Sequence, residues 1–118
     1  MATVPDEAKL YHVKNNQYIH LPASLNDTHP VKSGLAILSP GKGNKPGDLS
    51  VFNLDASKGP KNVRIIKNNW ALESIPNNSS QFRMTVLDEK INNQYFSWEE
   101  EDDILKNNVT GEVLQARY

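Results

Sequence analysis

Two short segments set planar amides beside an aromatic ring: Asn68-Asn69-Trp70 and Asn92-Asn93-Gln94-Tyr95. An aromatic face packs against the apolar side of a pyranose, and an amide can donate to and accept from its hydroxyls. Asn68, Asn69, Trp70, Asn92, Asn93 and Tyr95 are therefore the candidate ligand-binding residues, a stacking platform with hydrogen-bonding neighbours. The simpler alternative makes Trp70 and Trp98 core residues and the asparagines turn formers. A second chemistry sits in segment 39–48, where Lys42 and Lys45 lie among glycines and prolines. A basic side chain on an extended, preorganised loop can enter the specificity pocket of a trypsin-like protease at low entropic cost. A plain solvated loop is the competing reading there.

Catalytic and metal chemistry find little support. The histidines are His12, His20 and His29, and the first two fall on opposite faces of a strand pair, so they do not converge on a metal. Ser24 and Ser33 near His29 form no nucleophile elbow, and no carboxylate is spaced to orient the imidazole. The acidic run Glu99-Glu100-Glu101-Asp102-Asp103 lacks the alternation and turn glycine of a calcium loop. It reads instead as a solvated guard on a strand edge. Cysteine is absent, which removes thiolate catalysis, cysteine-ligated zinc and disulfides together. The expectation is a protein without catalytic residues, metal or cofactor.

Thirteen basic and fourteen acidic residues leave a formal charge of −1, so neither nucleic acid nor an anionic membrane is an expected partner. The N-terminus carries no signal-peptide pattern, and no apolar run is long enough to insert into a bilayer. With no cysteine, these features point to a cytoplasmic protein. At 118 residues the chain suits one domain, 1–118, with residues 1–8 as a flexible lead-in.

The positioning elements are strands. No window keeps helical apolar spacing for three turns, whereas β-type runs occur at 10–13, 17–21, 35–38, 49–54, 63–67, 70–75, 82–87, 94–98, 103–106 and 112–117. Asn tolerates positive φ, so an Asn-Asn pair between apolar runs predicts a two-residue hairpin turn. Three such frames occur, at Asn15-Asn16, Asn68-Asn69 and Asn92-Asn93. The first hairpin then pairs Val13 with Tyr18 and places Tyr11, Val13, Tyr18 and His20 opposite Leu10, His12, Ile19 and Leu21. The second pairs Ile66 with Ala71. The third places Leu87, Ile91, Phe96 and Trp98 on one buried face. The loops at 39–48 and 56–62 exceed simple connections, and surplus loops are often functional; a third loop, 23–30, is polar.

The order of these pieces resembles the opening repeat of fungal β-trefoil proteins, including ricin-B-like mushroom lectins and mycocypin-type protease inhibitors. Leu10-Tyr11-His12-Val13 and Gln17-Tyr18-Ile19-His20-Leu21 look like the first two strands of a repeat. Leu35-Ala36-Ile37-Leu38-Ser39-Pro40 and Val51-Phe52-Asn53-Leu54 look like the third and fourth, and residues 63–72 like the start of a second repeat. The Gln-x-Trp motif common in lectin members is lacking. The frames around the three Asn-Asn pairs begin at Lys14, Lys67 and Lys90, 53 and 23 residues apart rather than evenly spaced. The expected fold is thus all-β, a single-domain β-trefoil with irregular repeats or another small antiparallel barrel or sandwich. The resemblance implies a lectin-like, carbohydrate-binding protein of the fungal defence type, with a loop-based protease inhibitor as the alternative. The implied partner is a glycan, or else a protease, and self-association would supply avidity.

Overall fold

The computed structural model describes residues 4–20, 35–37, 51–67, 69–76 and 81–117. They contain ten strands: β1 (Glu7–His12), β2 (Gln17–Ile19), β3 (Leu35–Ile37), β4 (Val51–Asp55), β5 (Arg64–Lys67), β6 (Trp70–Ser74), β7 (Phe82–Val86), β8 (Phe96–Glu99), β9 (Ile104–Asn107) and β10 (Val113–Arg117). Each expected run has its counterpart, with ends displaced by at most three residues. Helical structure among the described residues is limited to 3-10 turns at Val13–Asn15 and Asn92–Gln94. The fold is all-β.

The strands form one antiparallel sheet in the order β3-β7-β6-β5-β4-β1-β10-β9-β8, with β2 attached to β1. β1 pairs with β10 along one edge. Its other edge is divided, Glu7–Lys9 meeting β4 and Leu10–His12 meeting β2. At the far end, Val63 and Phe96 exchange two backbone hydrogen bonds of 2.8 Å, and the Trp98 N–H donates to the Pro60 carbonyl at 2.7 Å. This contact brings β8 back towards β5 as an isolated bridge rather than a ladder, so the sheet remains open. Inward alternation builds the core: Ala8 faces Phe52, and Leu10 faces both Ala116 and Ile19. Phe82, Phe96, Leu105 and Leu114 are fully enclosed with them.

Loop chemistry fixes the hairpins. The β5–β6 connection is the expected two-residue turn, with Ile66 opposite Ala71 and Lys67 opposite Trp70. The β1–β2 loop instead has four residues, Val13 to Asn16, and only Asn16 takes positive φ, at 54°. Tyr11 therefore lies opposite Tyr18, two residues away from the expected register. Side chains alternate with period two, so this slip of two keeps Tyr11 with Tyr18 and Leu10 with Ile19 on their expected faces. The four-residue β8–β9 loop and the four-residue turn between Asn107 and Glu112 end likewise in a left-handed residue, Asp103 at φ 55° and Gly111 at φ 76°. Asn, Asp and Gly are the residues that accept this conformation cheaply.

The third expected hairpin does not form. Both edges of β7 are taken, by β6 and by β3, and β8 pairs with β9 instead. Segment 87–95 is a loop closed around the buried Gln94 amide. Gln94 Oε1 accepts from Asp88 N at 3.1 Å, and Nε2 donates to the Val86 carbonyl at 3.0 Å. Phe96 and Trp98 point inwards as expected, but Leu87 is 36% exposed. Replacing Phe96 with Ala should cost about 3–5 kcal/mol of stability, against under about 1 kcal/mol for Leu87→Ala. Urea unfolding of the two variants measures the contrast, and equal losses would contradict this connection.

Candidate functional site

The six sequence-derived residues are not gathered into an open platform. Asn68 lies outside the described residues, and Asn69 is exposed beside it in the β5–β6 turn. Trp70 is only 3% exposed and belongs to the core. Asn92 is exposed, whereas the Asn93 amide donates to the Ser74 carbonyl at 2.8 Å and its own carbonyl accepts from Asn107 Nδ2 at 2.9 Å. Tyr95 is buried: its hydroxyl donates to the Glu89 carbonyl at 3.0 Å and accepts from Lys58 Nζ at 3.3 Å. Its ring lies 5.6 Å from the Lys58 ammonium and 5.8 Å from the Arg64 guanidinium. A sugar arriving at Asn69 or Asn92 would meet amides without an open aromatic face. Lys42 and Lys45 lie outside the described residues.

The polar groups behind those turns hold the molecule together. His12 is fully buried, with Nε2 in short contact with Glu112 Oε1 and its ring edge-on to Phe82 at 5.4 Å. Ser74 Oγ and Thr110 Oγ1 are 2.6 Å apart, tying β6 to the β9–β10 turn. Asn107 Oδ1 accepts from Val109 N and Thr110 N, both at 3.0 Å, which shapes that same turn. Glu73 is buried and receives Arg83 Nε at 2.7 Å. Buried polar groups that are paired in this way fix one arrangement of loops. No serine, threonine or thiol nucleophile is bonded to the His12 imidazole, and no group of three His, Asp or Glu that could hold a metal occurs among the described residues.

Loop 56–62 is fastened at several points. The Lys61 carbonyl accepts from Asn108 Nδ2 at 2.9 Å and from Ser97 Oγ at 3.3 Å. Asp55, at the loop entrance, accepts from Ser57 N at 3.0 Å and from Arg64 Nη2 at 2.9 Å. Hydrogen bonds from Ser57, joined by the Arg64 pairing, hold the Asp55 carboxyl below its ordinary value. A depressed folded-state pKa stabilises the fold above the unfolded value, and that stabilisation is lost as pH falls through the folded value.

The open aromatic surface lies elsewhere, on the outer face of β2, β1 and β10. Opposed residues in an antiparallel ladder share a face, and the registers Lys9 to Arg117, Tyr11 to Gln115 and Tyr11 to Tyr18 place all five outside. Tyr11 and Tyr18 are half-buried and meet edge to face, with ring centroids 5.3 Å apart. The Tyr11 hydroxyl donates to Asn16 Oδ1 at 2.7 Å. Arg117 lays its guanidinium over the Tyr11 ring, 3.8 Å from the centroid. Its Nη1 donates to the Tyr18 hydroxyl at 3.2 Å and its Nε to Gln115 Oε1 at 2.9 Å. A groove of about 220 Å³ opens beside it, lined by Glu7, Ala8, Lys9, Val51 and Arg117. The arrangement offers ring surface and planar donors and acceptors together. Sequence reasoning places Tyr11 and Tyr18 on one face but misses this site, because Gln115 and Arg117 join them only through the β1–β10 pairing.

Comparison with protein-family models, curated proteins and solved structures returns no match to this chain. No helix among the described residues is long and apolar enough to cross a membrane. For the loop-entrance carboxylate, Asp55→Asn should lower stability near neutral pH, and the gap to the parent should narrow as pH falls below about 4. Urea midpoints at the two pH values read this, and a constant gap would contradict the role given to Asp55.

Proposed function

We propose that this protein is a non-enzymatic, lectin-like glycan-binding module, of the fungal defence type that the sequence resemblance implies. The observation that carries the reading is the outward-facing surface of half-buried Tyr11, Tyr18 and Gln115 with exposed Arg117. The Tyr18 ring can take the apolar face of a pyranose, while the guanidinium and the carboxamide engage ring hydroxyls. The donors sit on strands and are held by one another, so little freedom is lost when a ligand docks.

The scaffold we propose beneath it is an irregular β-trefoil. Six strands follow one another as β5-β4-β1-β10-β9-β8, and the Val63–Phe96 bridge leads from the last back to the first. Strands β1–β4 and β5–β8 then correspond to two repeats, each with two strands in this ring and two beside it. The third repeat keeps only β9 and β10, joined by the four-residue turn after Asn107 where a further hairpin would stand. This assignment supports a trefoil because it removes the Asn92-Asn93 frame from the set of repeat hairpins. The uneven spacing of 53 and 23 residues then has a cause.

A second reading, a loop-based protease inhibitor, draws support from loop 56–62, which exposes Lys61 on a backbone pinned at both sides. Inhibition of trypsin, subtilisin or papain in a residual-activity assay would favour it. For the lectin reading, a broad glycan array should give hits, and Tyr18→Ala should weaken them about tenfold or more without unfolding the protein. An array without hits would end that reading.

A further inference from the structure

Resting on the glycan-binding reading, we infer that the β1–β2–β10 surface recognises an acidic sugar, through a carboxylate or sulfate group seated on Arg117. The guanidinium has five N–H donors in a rigid fork. Two are engaged, Nη1 with Tyr18 and Nε with Gln115, and both partners are neutral. Among the described residues no partner engages Nη2, and Nη1 has a second hydrogen, so the fork retains donors that can grip an oxyanion. Stacking on Tyr11 holds the plane of the fork in place before any ligand arrives.

The charge around it is unbalanced. No carboxylate forms an ion pair with Arg117 among the described residues. The residue directly across the ladder is Lys9, also exposed and also cationic. Like charges placed opposite each other on a sheet are destabilising, so this pair costs the fold stability. An anion bound between them removes that repulsion. The groove shared by Lys9 and Arg117 is also lined by Glu7, Ala8 and Val51. A carboxylate or sulfate on Arg117 leaves the sugar ring to lie across Tyr18 or over Val51. The rest of the chain is close to neutral, which disfavours a polyanion held by diffuse charge and favours one oxyanion gripped in a fixed geometry.

The test is a titration of the ¹⁵N-labelled full chain, followed by amide shifts. The probes are trigalacturonate for the carboxylate, a chondroitin sulfate hexasaccharide for the sulfate, and maltotriose and chitotriose as neutral sugars. We expect at least one acidic probe to bind about tenfold or more tightly than either neutral sugar, with shifts at residues 9, 11, 18, 115 and 117. Affinity should fall with added salt. Arg117→Lys keeps the charge but loses the fork, and should lose most of the preference for the acidic probe. Lys9→Gln should weaken binding less. Both variants lie on the surface, and melting curves matching the parent will show that they fold. Equal binding of neutral and acidic probes would overturn the inference while leaving a lectin in place. Acidic binding with shifts confined to residues 69 and 92–95 would overturn the assignment to Arg117. Silence towards every sugar would overturn this inference and the lectin reading together.

Discussion

The rest of the structure depends on the way β1 is shared. Six residues supply ladder partners to three strands, with β10 on one edge and β4 and then β2 on the other. Because both edges are spent, β1 cannot slip without breaking all three ladders, and a slip of one residue would expel Leu10 from the core. The same alternation that buries Ala8, Leu10 and His12 presents Glu7, Lys9 and Tyr11 outwards. The core and the proposed ligand surface are therefore two faces of one strand. The register that packs Leu10 against Ile19 also sets Tyr11 against Tyr18 and Gln115.

Around that strand, polar groups supply much of the cohesion that a larger apolar core would give. Apolar residues make up only 37% of the chain, and there is no disulfide to hold its loops. Polar contacts with at least one buried partner hold them instead. They join His12 with Glu112, Ser74 with Thr110, and Glu73 with Arg83, and they surround the Gln94 amide inside loop 87–95. Each would leave an unpaired buried group if its partner were removed. The asparagines contribute in this way too. Asn93, Asn107 and Asn108 bond to neighbouring backbone or side chains. These bonds give the asparagines a part in building turns and loops.

Much of the fold is legible in the sequence because strand existence is local. Alternation and β-branched or aromatic content locate all ten strands, and Asn68-Asn69 marks a two-residue turn that the β5–β6 register bears out. What local pattern cannot convey is which edges are already occupied. Asn92-Asn93-Gln94 has the same local signature as a hairpin turn, yet β7 has no edge left to offer β8, and the segment becomes a loop around Gln94. Trp70 shows the same limit: its neighbours suggest a sugar platform, but its place in β6, with strands on both sides, buries it. Arg117 is invisible for the opposite reason. Its aromatic partners, Tyr11 and Tyr18, stand at the other end of the chain, so neither spacing nor composition could connect them.

The proposed function turns on whether the Arg117 fork is in position before ligand arrives. A guanidinium lying 3.8 Å from the centre of the Tyr11 ring places its side-chain protons within that ring's shielding current. The ¹H chemical shifts of the Arg117 δ and ε protons in the ligand-free protein, with Tyr11→Leu as reference, measure this directly. A fork held in advance predicts resonances well upfield of the free-arginine positions that return towards them in Tyr11→Leu. Free-arginine shifts in the parent protein would contradict it, because the fork would then be mobile and the surface unformed until something else ordered it.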